Sequence, residues 1–359
     1  MSPLLSVAAL ALSTSVGFAQ DAEAVEEASY RHVPITVGIV PLGGGQNTIH
    51  HLDLSLGVAG ADRLEGAQLS LAGNLARESA RGVQASVGGN IAGEVQGAQL
   101  SVGGNLSRGP VRGAQLAVGA NVAPSVHGIQ HSVGLSLAEE VHGWQASVGA
   151  AIAQDVRGVQ MAVGPVIADS VQGVQASVGL NLAEQVQGMQ FGLLNVAGRA
   201  PVQLGIVNVS RDADVQVGLL NINAAGYNHV YAAGGLFDRG AVGLTYGGKR
   251  LYSVAEFAVR SEAHRVGLGL GWHQPLGERA YLDVDVVSGS YSASLLDAGS
   301  FGGLMLRGRA VVGVEVAGAV AAFAGPTLHS VVLQTGCGCA DDDLSPGDVV
   351  AGLQAGLRL

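Results

Sequence analysis

Cys337-Gly338-Cys339 holds both cysteines of the 359-residue chain and is followed by Asp341-Asp342-Asp343. Two thiols one residue apart supply half of a structural zinc site. Closed as a disulfide in an oxidising compartment, they make a strained ring. The aspartates could present oxygens to Ca2+, but they lack the spaced ligands of a calcium loop. The expectation is a solvated loop between two strands, carrying at most a local disulfide and no metal. His50, His51 and Asp53 stand at the head of a repeat array, and His127, His131 and His142 lie in or beside its connectors. None has a partner at ligand spacing, so all are expected as exposed turn residues. Gly267, Gly269 and Gly271 read as strand alternation, because neither a helix nor Lys-Ser/Thr follows them as in a nucleotide loop. Gly-x-Ser-x-Gly, His-Glu-x-x-His and calcium-roll repeats are absent. The expectation is a protein that is not an enzyme, with no catalytic, cofactor-binding or metal-binding residue.

The elements that would position these residues are set by a repeat. Gly-x-Gln recurs at Gln68, Gln84, Gln99, Gln115, Gln130, Gln145, Gln160, Gln175 and Gln190 in steps of 15 or 16 residues. Gln203 and Gln216 follow in steps of 13. So regular a period marks an array of one supersecondary unit. In the copy Gly173–Ala183, Val174, Ala176, Val178, Leu180 and Leu182 alternate with Gln175, Ser177, Gly179 and Asn181, the period of a β-strand. Charges such as Glu94, Arg112, Asp155, Arg157, Asp169 and Glu184 are confined to the connectors.

Two architectures fit. In a β-solenoid each repeat is one coil, with Gln and Asn side chains stacked in ladders. In a transmembrane barrel each repeat is one antiparallel strand, with Val and Leu on lipid and Gln, Ser and Asn lining a lumen. The solenoid is favoured on three grounds. Odd and even connectors are alike. The connectors keep an apolar position (Val95, Val111, Val126, Val141, Val156, Val171, Val186) suited to a coil's third side. Between residues 66 and 226 the aromatics are only Trp144 and Phe191. In that reading Val174, Val178 and Leu182 face the core, and the Gln, Ser and Gly rows face outward.

Composition narrows the function classes. Only 13% of residues are charged, 56 are Gly, and the formal net charge is −10. Without a basic cluster, nucleic acid is not an expected partner. Residues Leu4–Leu12 form an apolar stretch before Gly17-Phe18-Ala19, which reads as a secretory signal peptide over 1–19. An acidic segment over 20–32 follows. The array is expected over 33–226, with regular repeats over 66–223.

From Tyr227 the character changes. Six of the seven Tyr, four of the six Phe and Trp272 lie there. His264–Trp272 leads through Pro275-Leu276-Gly277-Glu278 into Arg279–Val287, a hairpin by pattern. Val311–Val316 and Ala319–Ala324 read as another pair, broken at Gly318 and closed by Gly325-Pro326. At the end of the chain Leu353, Ala355, Leu357 and Leu359 share a face. Residues 227–359 therefore read as an antiparallel meander of outer-membrane barrel type, its aromatics forming the belt. The fold class expected is all-β: a 15-residue-repeat solenoid followed by that barrel, with one continuous transmembrane barrel as the alternative.

Gln190-Phe191-Gly192-Leu193-Leu194-Asn195-Val196-Ala197, Gln203-Leu204-Gly205-Ile206-Val207-Asn208-Val209 and Gln216-Val217-Gly218-Leu219-Leu220-Asn221-Ile222 carry a resemblance, as do Val33-Pro34-Ile35-Thr36-Val37 and Leu52-Asp53-Leu54-Ser55-Leu56. Over roughly residues 33 to 290 the chain resembles a bacterial family of surface or outer-membrane repeat proteins built from Gly-Val-Gln-x-Gly-Leu-Val-Asn-Val-Ala units. The earlier copies depart from that unit, reading Ser-Val-Gly-x-Asn. The resemblance implies an exported, non-enzymatic protein of the outer membrane or cell surface, and no site residue to carry over. The function expected is a structural or interaction role at the cell envelope, with a protein or polysaccharide ligand along the repeat face. The alternative is an outer-membrane pore with a Gln/Ser/Asn lumen.

Overall fold

The computed structural model describes residues 30–40, 47–260, 263–292, 301–334 and 346–359. The signal-like segment, the Cys337–Cys339 pair and Asp341–Asp343 lie outside the described residues. Among the described residues every regular element is a strand. The chain divides into two compact units between Gly179 and Leu180, so the last coils of the array belong with the C-terminal domain.

In the first unit, twelve strands run from β1 (Arg31–Gly38) and β2 (Thr48–Ser55) to β11 (Asp155–Ala162) and β12 (Val166–Ser177). Each pairs in parallel with the strand one repeat away. Gln160 stands beside Gln145 and Gln175, and Gly158 beside Gly143 and Gly173. Parallel register one repeat apart makes each repeat a coil of a β-solenoid. A barrel wall would pair consecutive repeats antiparallel, so the continuous-barrel alternative is overturned.

The second unit opens with the coils of β13 (Leu180–Arg199), β14 (Val202–Asp212), β15 (Val215–Val217) and β16 (Leu220–Asn223). Gln190, Gln203 and Gln216 are in register there, as are Asn195, Asn208 and Asn221. Eight antiparallel strands follow: β17 (His229–Gly235), β18 (Gly240–Gly247), β19 (Leu251–Val259), β20 (His264–Pro275), β21 (Ala280–Ser292), β22 (Phe301–Ala317), β23 (Val320–Gln334) and β24 (Val349–Arg358). Each pairs with the next, and β24 pairs back onto β17, closing a barrel. The last coil joins this barrel through Val215 beside Leu251 and through Asn221 Nδ2, which donates to Ser253 Oγ at 2.6 Å. The β20–β21 hairpin and the turn at Gly318 fall where the pattern puts them. Gly325-Pro326 closes nothing, because β23 runs through it to Gln334.

One expectation is reversed. Gln175 is fully buried and Val178 is 59% exposed. The Gln, Asn and Ser rows form the core of the coils, and the alternating Val and Leu rows are their outer surface. The connector valines do point inward: Val95, Val111, Val126, Val141, Val156, Val171 and Val186 are buried. The physical reason is stacking. Amides on consecutive coils stand one strand spacing apart and satisfy each other in a dry interior, where an unpaired polar group would be costly.

Candidate functional site

The Gly two residues before each Gln from Gln68 to Gln190 shows how the sequence builds this core. Gly158 has φ +133°, and a Cβ there would lie 2.1 Å from the carbonyl oxygen of Gly143. Only Gly takes that backbone and lets the next coil approach so closely. The Gln side chains then stack. Gln145 Nε2 donates to Gln130 Oε1 at 2.9 Å, and Gln160 Nε2 to Gln145 Oε1 at 2.8 Å. The same sense holds from Gln84, which donates to Gln68, through Gln175, which donates to Gln160. Every donor in this ladder points towards the N-terminal end. There Gln68 Nε2 donates to Asp53 Oδ2 at 3.0 Å, and His50 Nδ1 meets Asp53 Oδ1 at 2.7 Å. His50 and Asp53 are both buried, which corrects the expectation of exposed turn residues: they end the ladder. A carboxylate belongs at this end, where the aligned amide dipoles present their positive side.

The Asn ladder runs the other way. Asn74 Nδ2 donates to Asn90 Oδ1, Asn90 to Asn105, and Asn105 to Asn121, each at 2.8 Å. Beyond Asn121 the same row carries Ser136, Ala151 and Val166, and an apolar cluster of Ala151, Ala162 and Val166 fills the space. Gln145 and Gln160 also donate to the carbonyls of Ile152 and Ile167, both at 3.2 Å. The array's other histidines stay nearer the surface, but in strands and not in turns as expected. His127 stacks on His142 with ring centroids 4.6 Å apart, His32 stacks on His51 at 5.4 Å, and His131 is exposed.

The barrel interior is polar by another route. Four carboxylates (Asp238, Glu256, Asp283, Asp285) and four guanidiniums (Arg265, Arg307, Arg309, Arg358) are buried inside it. Arg307 reaches Glu256 Oε2 at 2.8 Å and Asp285 Oδ1 at 2.7 Å, while Arg309 reaches Asp285 Oδ2 at 2.6 Å. Arg265 bridges Asp238 at 2.8 Å and Glu256 at 2.7 Å. The guanidiniums also lie over rings, Arg309 4.5 Å from the centroid of Tyr231 and Arg358 3.8 Å from that of Tyr281. Tyr227, Tyr231, Tyr252, Tyr281 and Tyr291 are buried, so these tyrosines fill the barrel and form no belt on its outside. The outward face is aliphatic, with Val242, Leu268, Val286, Val312, Leu328 and Leu353 each more than half exposed and Trp272 beside them.

Near the end of the barrel that carries Tyr227, Asp283 gathers several partners. His273 Nδ1 lies 2.7 Å from its Oδ1, the Tyr227 hydroxyl donates to its Oδ2 at 2.6 Å, and Arg358 Nη1 stands 3.5 Å away. Tyr227 and His273 border a cavity of about 530 Å³ that is also lined by Asp214, Lys249 and Arg250. A His–Asp pair can hold a proton, but among the described residues no Ser, Thr or Cys lines that cavity to be activated. Among the described residues no three His, Cys, Asp or Glu converge as metal ligands. Asp62, on the array, is held below the usual carboxylate range. Burial pushes it up, and hydrogen bonds from the Thr48 N–H and from Arg77 more than offset that. Among the described residues the amide ladders and the paired buried charges are the most extended polar arrangements. Comparison with protein-family models, curated proteins and solved structures gives no match to this chain.

Proposed function

We propose that the protein is exported to the envelope of a diderm bacterium, held in the outer membrane by its C-terminal barrel, and that its repeat array is a non-catalytic scaffold for interaction. One observation carries this reading: the barrel has its charges and tyrosines inside and a wall of Val and Leu outside. That polarity suits a lipid solvent, and closure leaves no strand edge unpaired in it. Anchor is favoured over pore, because eight strands leave an interior that side chains fill, and here the ion pairs and tyrosines occupy it.

Turn lengths support an orientation. Strands whose facing ends lie near Tyr227 and Leu359 are separated in sequence by 3, 4 and 2 residues (β18–β19, β20–β21, β22–β23); those whose facing ends lie away from it are separated by 4, 4, 8 and 14 (β17–β18, β19–β20, β21–β22, β23–β24). Outer-membrane barrels keep short turns in the periplasm and longer loops outside. The short-turn end is also where Val215 and Asn221 of the last coil join, so the coils of residues 180–223 would lie on the periplasmic side.

The test is fractionation with thiol labelling, in a background with Cys337→Ser and Cys339→Ser. The protein should stay in the outer-membrane fraction after carbonate washing. An impermeant maleimide should label Arg239→Cys in intact cells, and Gly277→Cys only after permeabilisation. Recovery in the soluble periplasmic fraction defeats the anchor. Labelling of Gly277→Cys in intact cells reverses the orientation. Discrete channels in a planar bilayer would restore the pore.

A further inference from the structure

The cavity at the short-turn end of the barrel is lined by charges that the fold does not use up. It measures about 530 Å³, within the roughly 300–1,000 Å³ of small-molecule sites. Its walls include Asp214, just before β15, Lys249 and Arg250, between β18 and β19, and His273 on β20. The main chain pins these together: the Arg250 N–H donates to the Asp214 carbonyl and the His273 N–H to the Arg250 carbonyl, both at 2.8 Å. The side chains are left over. Within the barrel the buried Asp238, Glu256, Asp283 and Asp285 are each paired with an Arg. At the cavity, neither the Asp214 carboxylate nor the Arg250 guanidinium forms an ion pair among the described residues. Lys249 pairs with Asp212 at 2.6 Å, but both side chains are more than a third exposed, and such a surface pair holds an ammonium only loosely. His273 meets Asp283 through Nδ1, which leaves Nε2 without a protein partner and accessible.

We infer that this cavity binds a group carrying both a phosphate and an amine, an aminoalkyl phosphate. Arg250 offers a planar fork to phosphate oxygens and Lys249 a point charge. His273 Nε2, on a ring held from its other side by Asp283, can give a proton to a phosphate oxygen or take one from it. Asp214 then answers the ammonium. A simple anion would leave Asp214 facing like charge, and a lone cation would leave Arg250 doing so. A hard metal ion also lacks ligands, because the cavity supplies one carboxylate. The chemistry is shared by a phospholipid headgroup and a soluble phosphoamine. The headgroup is favoured by Trp272, which precedes His273 on β20 and is exposed on the outside of the barrel, as an aromatic at headgroup level would be. The lipid source rests on the barrel being a membrane anchor; the phosphate–amine chemistry does not.

The test is titration calorimetry of the full chain in a maltoside detergent with dihexanoyl phosphatidylethanolamine, which should bind saturably. Arg250→Gln should weaken this binding about tenfold or more, as expected for loss of a charge-assisted hydrogen bond. Dihexanoyl phosphatidylglycerol, which has the phosphate but no amine, should bind the parent chain less tightly. Asp214→Asn should remove that preference. Both residues are exposed and their main-chain bonds survive the changes, so the fold is kept. Arg239→Gln, an exposed cation at the far end of the barrel, should bind like the parent. Free O-phosphoethanolamine separates the sources. Affinity about tenfold or more below the lipid's supports a headgroup, and equal affinity supports a soluble ligand. The site is overturned if neither phosphatidylethanolamine nor O-phosphoethanolamine saturates, if Arg250→Gln binds like the parent, or if the parent does not prefer the amine. Detergent stands in for the membrane here, so these outcomes are independent of where the protein fractionates.

Discussion

The array and the barrel both keep polar groups inside and aliphatic ones outside, yet they satisfy that polar interior by opposite means. In the array the buried groups are neutral amides, and each is answered by the same residue one coil away. In the barrel they are full charges answered by residues far off in sequence: Arg307 pairs with Glu256 and Asp285, and Arg358 reaches Asp283. A ladder spreads its cost over many equal bonds and tolerates a local gap, as at Ser136, Ala151 and Val166. A charge cluster concentrates it, and one missing member strands its neighbours. The chain carries one Trp in each region, Trp144 and Trp272, so urea unfolding of the refolded protein can follow the two separately.

The largest effect is expected in the barrel. Asp285→Ala leaves Arg307 and Arg309 short of a carboxylate in a closed interior and should cost about 3–5 kcal/mol, seen as an earlier Trp272 transition. An unchanged midpoint would mean the cluster is wet. Next comes Gly158→Ala, which forces a side chain into a positive-φ position facing the Gly143 carbonyl. Backbone strain alone is about 1–3 kcal/mol, and the coils must also separate. The loss should appear in Trp144 while Trp272 holds its midpoint.

Gln145→Leu orphans Gln130 Oε1 and the donor of Gln160, and should cost about 2–4 kcal/mol. Adding Gln160→Leu should cost less than the sum of the two single changes, since the bond between them is lost once. Strict additivity would argue against a ladder. The smallest effect belongs to Asp62. Its pKa is lowered on folding, so its contribution is present above the unfolded value near pH 4 and is lost as pH falls through the folded one. Asp62→Asn should therefore flatten the acid limb of array stability below about pH 4 and leave the barrel's unchanged.

Much of the array was legible in the sequence. The period fixes the coil register, and the Gly two residues before each Gln up to Gln190 marks the close approach. The face that turns inward is not the one the alternation suggests, because Val and Gln in turn put Val inside by the hydrophobic rule alone. A better signal lay within the repeats. The Gln position never varies from Gln68 to Gln216, while its apolar neighbour wanders through Ala67, Val83, Ile129, Trp144 and Met189. A row that must bond to itself cannot vary, whereas an outer row can. The barrel hairpins were legible from alternation and turns, and Asp283 and Asp285 between Leu282, Val284 and Val286 hinted at charges facing in. Their partners were not legible, since closure brings together residues such as Asp283 and Arg358 that no local pattern links. The role of His50 and Asp53 is hidden for the same reason, because it depends on Gln68 in the next coil.

The polarity of the barrel wall is the central claim, and collision accessibility of nitroxide labels measures it directly. Labels at Leu268 and Val286, on a cysteine-free chain in isolated outer membranes, should collide far more with oxygen than with an aqueous nickel chelate. A label at Gly277, in a short turn, should show the reverse. If Leu268 and Val286 are instead reached freely by the nickel chelate, the wall faces water and the barrel does not hold the protein in a membrane.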